Sequence, residues 1–281
     1  HDQRDEDGGA LVFDSDHLKA DLEILGPPVV ELELSVNKPV AMIAVRLSDI
    51  LPDDKTTRVT YGLLNLTHRD SHAHPRPLEP AKRYRVTVQL NHIGQKFPAG
   101  NRIRLAISTV YWPLAWPSPE PVRLTIYTKT SRLILPVRPN QPQDKEIRPF
   151  GPPEAAAGLK KSLIQPTRQS WTVIRDLARD ASRLEVVNDE GVYRIDALDL
   201  EIETRAEENY GFCDDDYSSL KGETIWTRRF KRGKWEVRTK TRTLLTSSPG
   251  HFHIRAELDA YEGESRVFSR SWDESIPRDM V

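Results

Sequence analysis

Apolar residues recur at every second position in several short segments in the first half of the chain. In the first segment Val30, Leu32, Leu34 and Val36 occupy alternate positions, with two glutamates between them. The same spacing returns in segments 41–47, 84–90, 103–107 and 124–126. Successive side chains of a β-strand point to opposite faces, so a period of two is typical of strands with one buried face. The first half is therefore predicted to be β-structure.

Turn signals separate these segments. Pro52-Asp53-Asp54 and Pro98-Ala99-Gly100-Asn101 each lie between two strand patterns. Proline fixes φ at the value that common turns need, and glycine tolerates positive φ. Short strands with such turns favour a mainly β, antiparallel sandwich.

The alternation stops in a segment rich in proline, glycine and alanine, which is typical of an interdomain linker. We predict a first domain over residues 1–138, a linker over 139–166 and a second domain over 167–281. The length of 281 residues is sufficient for two domains with cores of their own.

Alternation resumes in the predicted second domain. Trp235, Val237 and Thr239 share one face of a strand pattern, while Glu236 and Arg238 share the other. This spacing places Trp235 in the core, and the segment Lys231–Lys234, with its glycine, predicts a tight hairpin turn. The second domain is expected to be an antiparallel meander that curls into a half-barrel or packs against a short helix over residues 171–183.

Composition excludes several classes of protein. The 41 basic and 42 acidic residues give a net charge of −1, so the overall field favours neither nucleic acid nor an anionic membrane. The single cysteine allows no internal disulfide and no site with two cysteine ligands. The chain has no apolar stretch of membrane-spanning length and no leader pattern. We therefore expect a cytoplasmic protein, and the missing initiator methionine predicts a fragment of a longer one.

No serine lies in the context that a hydrolytic nucleophile needs. Such a serine stands on a sharp strand-to-helix turn flanked by small residues, in a G-x-S-x-G sequence. The nearest string is Gly263-Glu264-Ser265-Arg266-Val267, where the arginine and the valine are too large for that turn. Ser265 is predicted to lie in a hairpin, and we predict no catalytic residue in this chain.

Two clusters invite a metal interpretation. His68, His72 and His74 could offer imidazole nitrogens to zinc or copper, but they lie in an irregular segment before a proline. The run from Cys213 to Asp216 offers carboxylates but lacks the spacing of a calcium loop. We therefore interpret both as exposed loops and expect neither a metal nor a cofactor.

A basic segment around Arg228–Arg242 is interleaved with Trp226, Phe230 and Trp235. Nucleic-acid platforms combine cations with stacking aromatic rings in this way. Strand alternation places Trp235 and the later cations on opposite faces, with Glu257 and Asp259 available as cross-strand partners. The segment is therefore interpreted as a solvated sheet face, and no nucleic-acid partner is predicted.

Five segments of the first half, in this order, resemble a known family. They read GPPVVELELSV from Gly26, VRLSDILPDD from Val45, YGLLNLTHRDS from Tyr61, FPAGNRIRLAIS from Phe97 and SRLILPVRP from Ser131. Together they resemble the C-terminal domain of X-prolyl dipeptidyl peptidases and cocaine-esterase type hydrolases, the CocE/NonD family. The resemblance implies a jelly-roll, galactose-binding-like sandwich over the first domain. The closing WDESIPRD is similar to the ends of some long members.

The same resemblance implies a partner. In that family the jelly roll follows an α/β-hydrolase domain that carries the catalytic triad, so this chain is interpreted as a non-nucleophilic C-terminal portion that caps, packs on or oligomerises an absent hydrolase domain. The parent would hydrolyse esters or X-Pro peptides through an acyl-serine. The chain alone is expected to be inactive, and association with copies of itself is a further expectation.

The segment from Tyr111 to Pro119 has two tryptophans and three prolines and no strand period. Its rings could close one end of the sandwich. Alternatively, they could contact the absent hydrolase domain or its pocket, because rigid aromatic anchors dominate many interfaces. The residues in question are Tyr111, Trp112, Leu114 and Trp116.

Two binding functions remain as alternatives. The chain could be a free-standing module that binds a carbohydrate or another small molecule, since jelly rolls often bind sugars on a concave face with aromatic residues such as Trp112 and Trp116. Alternatively, the second domain could enclose a lipocalin-like cavity lined by Trp226, Trp235, Phe252 and Phe268.

Overall fold

The alternating segments form strands in two separate parts of the molecule. The computed structural model describes residues 2–139 and 141–281. The chain divides into unit 1, which runs to Phe150 and also takes in Met280 and Val281, and unit 2, which covers Gly151–Asp279. Asn140, inside the predicted linker, lies outside the described residues, as does His1.

Unit 1 is built almost entirely of short strands. A one-turn helix, α1 (Arg4–Asp7), precedes them, and 3-10 turns lie at Leu66–His68, Thr128–Thr130 and Pro142–Glu146. The strands are β1 (Leu11–Asp14), β2 (Leu22–Gly26), β3 (Val29–Val36), β4 (Met42–Ile50), β5 (Thr56–Asn65), β6 (Tyr84–Gln89), β7 (Ile93–Phe97), β8 (Arg102–Ser108), β9 (Leu124–Ile126) and β10 (Arg132–Ile134).

These strands form two antiparallel sheets and a small ribbon. One sheet has the order β1-β8-β4-β5, and the other has the order β10-β3-β6 with β9 also paired to β3. Strands β2 and β7 make the ribbon. Apolar side chains from the sheets and the ribbon pack into one core, which includes Leu34, Val45, Leu47 and Phe97. The predicted antiparallel sandwich is confirmed.

Strand β4 is buried on both faces. Ile43, Val45 and Leu47 point into the core, and the alternate positions include Arg46 and Ser48. The N-terminal segment covers that second face, because Gln3 donates its backbone N–H to Thr56 and Glu6 accepts a hydrogen bond from Arg46. A central strand with a buried arginine is thus explained by the segment that lies over it.

The final residues of the chain return to unit 1. The carbonyl oxygen of Met280 accepts hydrogen bonds from Asn65 Nδ2 and from Thr67 Oγ1, each at 2.8 Å. Asn65 also caps the 3-10 turn that follows β5, since its Oδ1 accepts from Thr67 N at 3.1 Å.

Unit 2 is an antiparallel meander. Its strands run in the order β11-β13-β14-β15-β16-β17-β18, with β12 also paired to β13. A 3-10 turn lies at Asp196–Leu198. The strands are β11 (Lys161–Gln165), β12 (Arg168–Asp176), β13 (Ala181–Ile195), β14 (Leu200–Cys213), β15 (Asp216–Arg232), β16 (Trp235–Ser247), β17 (His251–Glu262) and β18 (Ser265–Pro277).

The two faces of the meander differ in character. On one face, arginines and glutamates of neighbouring strands pair, as when Arg229 meets Glu203 at 2.8 Å and Arg242 meets Glu223 at 2.6 Å. The strand register places the four residues of the predicted lipocalin-like lining together on the other face. They are Trp226, Trp235, Phe252 and Phe268. Their role as a cavity lining stays a prediction.

Two expectations for the second half of the chain, the buried Trp235 and the helix over 171–183, are not met. Trp235 is 47% exposed rather than in a core, because the buried apolar residues described in unit 2 are limited to Val192, Ala206 and Leu220. The helix predicted over 171–183 is wrong: β12 pairs with β13 there, as its consecutive Thr172, Val173 and Ile174 favour.

The segment predicted as a linker contains strand β11, which pairs with β13. The hairpin turn around Gly233 is confirmed, since Arg232 faces Trp235 across it.

Candidate functional site

The aromatic loop, residues 109–119, follows β8 in unit 1. The rings of Trp112 and Trp116 pack edge to face with centroids 4.9 Å apart. Ala115 donates its backbone N–H to the Tyr111 carbonyl at 3.0 Å, and the Trp112–Pro113 peptide is cis. Leu114, at the tip, is 53% exposed. The loop therefore folds on itself and presents one apolar side chain to solvent.

Tyr111 attaches this loop to the sheet below. Its ring packs edge to face on Tyr61 of β5, with centroids 5.6 Å apart. Its hydroxyl accepts a hydrogen bond from Arg58, whose guanidinium lies 5.1 Å from the Tyr61 ring centroid. The guanidinium of Arg46 lies 5.6 Å from the Tyr111 ring centroid. Cations over aromatic faces stabilise such contacts. The base of the loop is thus fixed from several sides.

A buried ion network lies beneath Tyr111. Arg46 Nη2 pairs with Asp7 Oδ1 at 3.0 Å, and Arg104 Nη1 pairs with Asp7 Oδ2, also at 3.0 Å. Arg46 donates in addition to Gln3 Oε1 at 3.3 Å and to the Glu6 carbonyl at 3.2 Å. The Arg46 and Asp7 residues are 2% and 7% exposed. Buried charges need such partners, so this network anchors the N-terminal segment to β4 and β8.

The network continues to the surface through Asp14. Arg104 Nε donates to Asp14 Oδ1 at 2.7 Å, and Arg102 lies 3.5 Å from the other oxygen. The hydrogen bond from Arg104 lowers the pKa of Asp14 below its ordinary value, although burial opposes it. The same pairing raises the pKa of Arg104. Since every charge in this chain of contacts has an opposite partner, the network is structural rather than a poised acid or base.

One buried carboxylate is held by an amide instead of a cation. Asn101 Nδ2 donates to both oxygens of Asp49, at 2.9 and 3.1 Å. Burial raises the pKa of Asp49, and the Asn101 hydrogen bond partly offsets this effect. This pair joins the end of β4 to the turn before β8, which gives a structural role to the polar residues Asp49 and Asn101 inside the signatures VRLSDILPDD and FPAGNRIRLAIS.

An apolar cavity of about 330 Å³ lies between the two sheets of unit 1. Its walls include Val30, Leu32, Ile103, Leu105, Ile107 and Leu133. Asp14 and Arg132 stand at its rim, where Asp14 pairs with Arg104 at 2.7 Å and Arg132 with Glu31 at 2.7 Å. Because both rim charges already have partners, the cavity suits an uncharged apolar molecule.

The structure brings together Tyr111, Trp112, Leu114 and Trp116 as one loop, but it separates the other candidates. Ser265 follows the β17–β18 hairpin turn, as predicted. His68 and His72 approach to 3.3 Å between their Nδ1 atoms, while His74 donates its backbone N–H to Ser71. Among the described residues, no group of three metal-ligating side chains lies close enough together to hold an ion.

The remaining candidates are exposed. Asp214 and Asp215 form the turn between β14 and β15, as predicted for the acidic run. His251 and His253 lie exposed on the polar face of β17. Within the described parts of the chain, no helix is both long and apolar enough to cross a bilayer.

The buried network was not predicted from the sequence. Arg46 and Asp49 lie in a strand segment whose other residues are mostly apolar. Charged residues at such positions were the sequence signal that could have indicated buried charges with partners. Their partners, Asp7 for Arg46 and Asn101 for Asp49, are far away in the sequence, so no local pattern could pair them.

Comparison with known proteins gives one family match. Residues 1–149 match the family described as the X-Pro dipeptidyl-peptidase C-terminal non-catalytic domain. No curated protein matches the chain. Among solved structures, an α-amino acid ester hydrolase is similar at 24% identity and a TM-score of 0.47, over 49% of this chain and 27% of that chain.

Two other solved structures are similar in the same way. An aminopeptidase from the marine sediment archaeon Thaumarchaeota archaeon has 20% identity and a TM-score of 0.47, over 49% of this chain and 27% of that one. A CocE/NonD family hydrolase from Staphylococcus aureus has 15% identity and a TM-score of 0.41, over 49% and 32%. The chain thus spans about a quarter to a third of these proteins.

Proposed function

Because the chain belongs to the family of X-Pro dipeptidyl-peptidase C-terminal non-catalytic domains, we propose that unit 1 packs on a catalytic α/β-hydrolase domain of the same parent protein through the aromatic loop. The family match over residues 1–149 is the observation that carries this proposal. It also confirms the family that the five sequence signatures predict.

The geometry of the loop supports its use as the contact. An exposed apolar side chain on a rigid base loses little conformational entropy when it is covered, so more of its burial contributes to affinity. Leu114 is such a side chain, and the packed Trp112–Trp116 pair with the Tyr111 anchor is such a base. Aromatic residues at the centre of an interface commonly contribute most of its binding energy.

The parent reaction that we propose is acyl transfer from an ester or an X-Pro amide to water, through an acyl-serine intermediate. The nucleophile, its base and the oxyanion donors would come from the hydrolase domain. Unit 1 would contribute a wall or cap that positions this domain and limits access of water to its site.

The test is to express in full the reading frame that contains this chain, in three forms: unchanged, Leu114→Asp and Leu25→Asp. The control residue Leu25 is also exposed and also lies in unit 1, on β2. A fluorophosphonate probe should label the unchanged protein, which should hydrolyse p-nitrophenyl acetate or an X-Pro p-nitroanilide. A buried aspartate without a partner is costly, so Leu114→Asp should lower kcat/KM about tenfold or more. Leu25→Asp should not.

Two results would count against this proposal. If the fluorophosphonate probe labels no serine in the full-length protein, there is no catalytic hydrolase domain for unit 1 to pack on. Equal activity of all three forms would mean that the aromatic loop is not the contact.

The cavity favours a second candidate, binding of a small apolar molecule by unit 1. An environment-sensitive apolar dye should then bind the 281-residue chain at one saturable site, and Leu105→Trp, which fills the cavity, should abolish that binding. Leu63→Trp on β5 is the control, since Leu63 is exposed and outside the cavity. If both variants still bind the dye, the cavity is not its binding site. A glycan array tests the carbohydrate alternative.

A further inference from the structure

Strand β18 forms one edge of the meander. It pairs with β17 along its whole length, from His251 opposite Pro277 to Glu262 opposite Ser265. It stands last in the strand order, and no other described strand pairs with it. Its residues are exposed except for Trp272, which is partly buried. A long exposed edge offers unpaired backbone N–H and C=O groups to another strand.

The side chains of this edge fall on the two faces in a defined way. The register with β17 places Phe268, Arg270, Trp272, Glu274 and Ile276 on the same face as Phe252 and Leu258, which is the apolar face of the meander. The residues between them are Ser269, Ser271, Asp273 and Ser275. The edge therefore carries a charge of each sign on its apolar face.

These two charges have no partner of opposite sign within the described residues. Arg270 lies with its guanidinium 4.8 Å from the Trp272 ring centroid, and no described carboxylate forms an ion pair with it. No described cation forms an ion pair with Glu274 either. Most exposed strand edges carry charges to prevent pairing, but charges of opposite sign at matched distances from a centre can promote it.

The sequence of β18 is self-complementary about Trp272. When two copies of the strand run antiparallel with Trp272 opposite Trp272, each Arg270 stands opposite a Glu274 and each Phe268 opposite an Ile276. On the other face Ser271 stands opposite Asp273. A shift of one residue would place the apolar faces of the two copies on opposite sides of the sheet. A shift of two residues in either direction keeps the faces together but places Arg270 opposite Trp272 or opposite Ile276, and both ion pairs are lost. One register thus satisfies charge and apolar matching together.

We propose that β18 pairs antiparallel with β18 of a second copy of this chain, in the register centred on Trp272, so that the two meanders join into one continuous sheet. The contact is isologous, which means that the same patch serves both copies and the assembly closes at two. It would cover Phe268 and Ile276, which are 48% and 46% exposed in the single chain. The proposal does not depend on a hydrolase partner, because the complementary residues all lie in unit 2.

Charge reversal tests both the partner and the register. Sedimentation velocity of the 281-residue chain over a hundredfold range of concentration should show a monomer–dimer equilibrium. Arg270→Glu brings two like-charge pairs together across the two-fold axis and should raise the dissociation constant about tenfold or more. Glu274→Arg should do the same. The double variant R270E/E274R restores both attractions and should return the dissociation constant to near its original value.

Mixing the two single variants gives a sharper test. In a heterodimer of R270E with E274R, each carboxylate of one copy faces a guanidinium of the other, so the mixture should dimerise where neither variant does alone. Arg232→Glu, an equal charge change at an exposed position away from the edge, should leave the equilibrium unchanged. Circular dichroism of every variant verifies that the sheet still forms.

Three results would overturn the proposal. A chain that stays monomeric at the highest concentration has no such contact. A dimer that is indifferent to R270E uses another surface. Growth into long polymers would show that β18 pairs with the opposite edge of the meander instead.

Discussion

Replacement of Arg46 by alanine removes the central cation of the buried network in unit 1. The variant loses the ion pair to Asp7 at 3.0 Å and the hydrogen bonds to Gln3 and Glu6. Breaking a buried ion pair commonly costs 3–5 kcal/mol, because the remaining charge stays in a poorly solvated place. Asp7 keeps its contact with Arg104 at 3.0 Å, so we expect a loss near the lower end, about 3 kcal/mol.

The measurement must report on unit 1 alone, since tryptophans occur in both units. Native-state hydrogen exchange followed by mass spectrometry provides this, because peptides from Met42–Ile50 report the opening free energy of β4 itself. Arg46→Ala should lower that free energy by about 3 kcal/mol.

Arg85→Ala is the matched control. Arg85 also pairs with a carboxylate, Glu33 at 3.7 Å, but its side chain is 85% exposed. An exposed pair contributes little, so this variant should stay within about 0.5 kcal/mol of the unchanged chain. If Arg46→Ala costs no more than Arg85→Ala, the network does not stabilise unit 1 and the reasoning fails.

Two further predictions concern a carboxylate and a glycine. Arg104 holds the pKa of Asp14 low in the folded state, so the stabilisation is complete above the unfolded pKa of about 3.9 and disappears as pH falls through the folded value. In urea unfolding, Asp14→Asn should therefore have a lower free energy of unfolding than the unchanged chain at pH 7, and this difference should vanish in strong acid. A difference that does not depend on pH would contradict this prediction. Gly191 and Gly233 both have positive φ, but a Cβ on Gly191 would lie 2.2 Å from the Gln165 carbonyl oxygen, whereas one on Gly233 meets nothing within 4 Å. Gly233→Ala should lower the free energy of unfolding by about 1–2 kcal/mol in thermal or urea unfolding, and Gly191→Ala should lower it distinctly more. Equal losses of stability would show that β11 does not lie against Gly191 as the structure places it.

Local patterns predicted the strands of unit 1 well, for a physical reason. Val30, Leu32 and Leu34 occupy alternate positions because one face of β3 packs in the core. The buried face of such a strand can therefore be recognised from the local sequence alone. The hairpin at Gly233 was equally local, since a two-residue turn depends on the residues in it. The aromatic loop was visible as a unit because its prolines interrupt the period, although its role as a contact stays a prediction.

Long-range contacts could not be predicted in this way. Asp7 and Arg46 lie on separate elements, and only the folded chain shows that they meet. The exposure of Trp235 was missed for a related reason. Alternation shows that a strand has an apolar face but not whether another layer covers that face. The helix predicted over 171–183 was overridden by pairing with β13, which lies later in the chain.

The return of Met280 to unit 1 determines when that unit can be complete. Its carbonyl oxygen accepts from Asn65 across 215 residues of sequence and from Thr67 across 213. During synthesis the strands of unit 1 leave the ribosome first. The hydrogen bonds of Asn65 and Thr67 to Met280 cannot form until all of unit 2 has been translated, on the order of ten seconds later. A cut at residue 150 would therefore yield a first unit that lacks one of its own pieces.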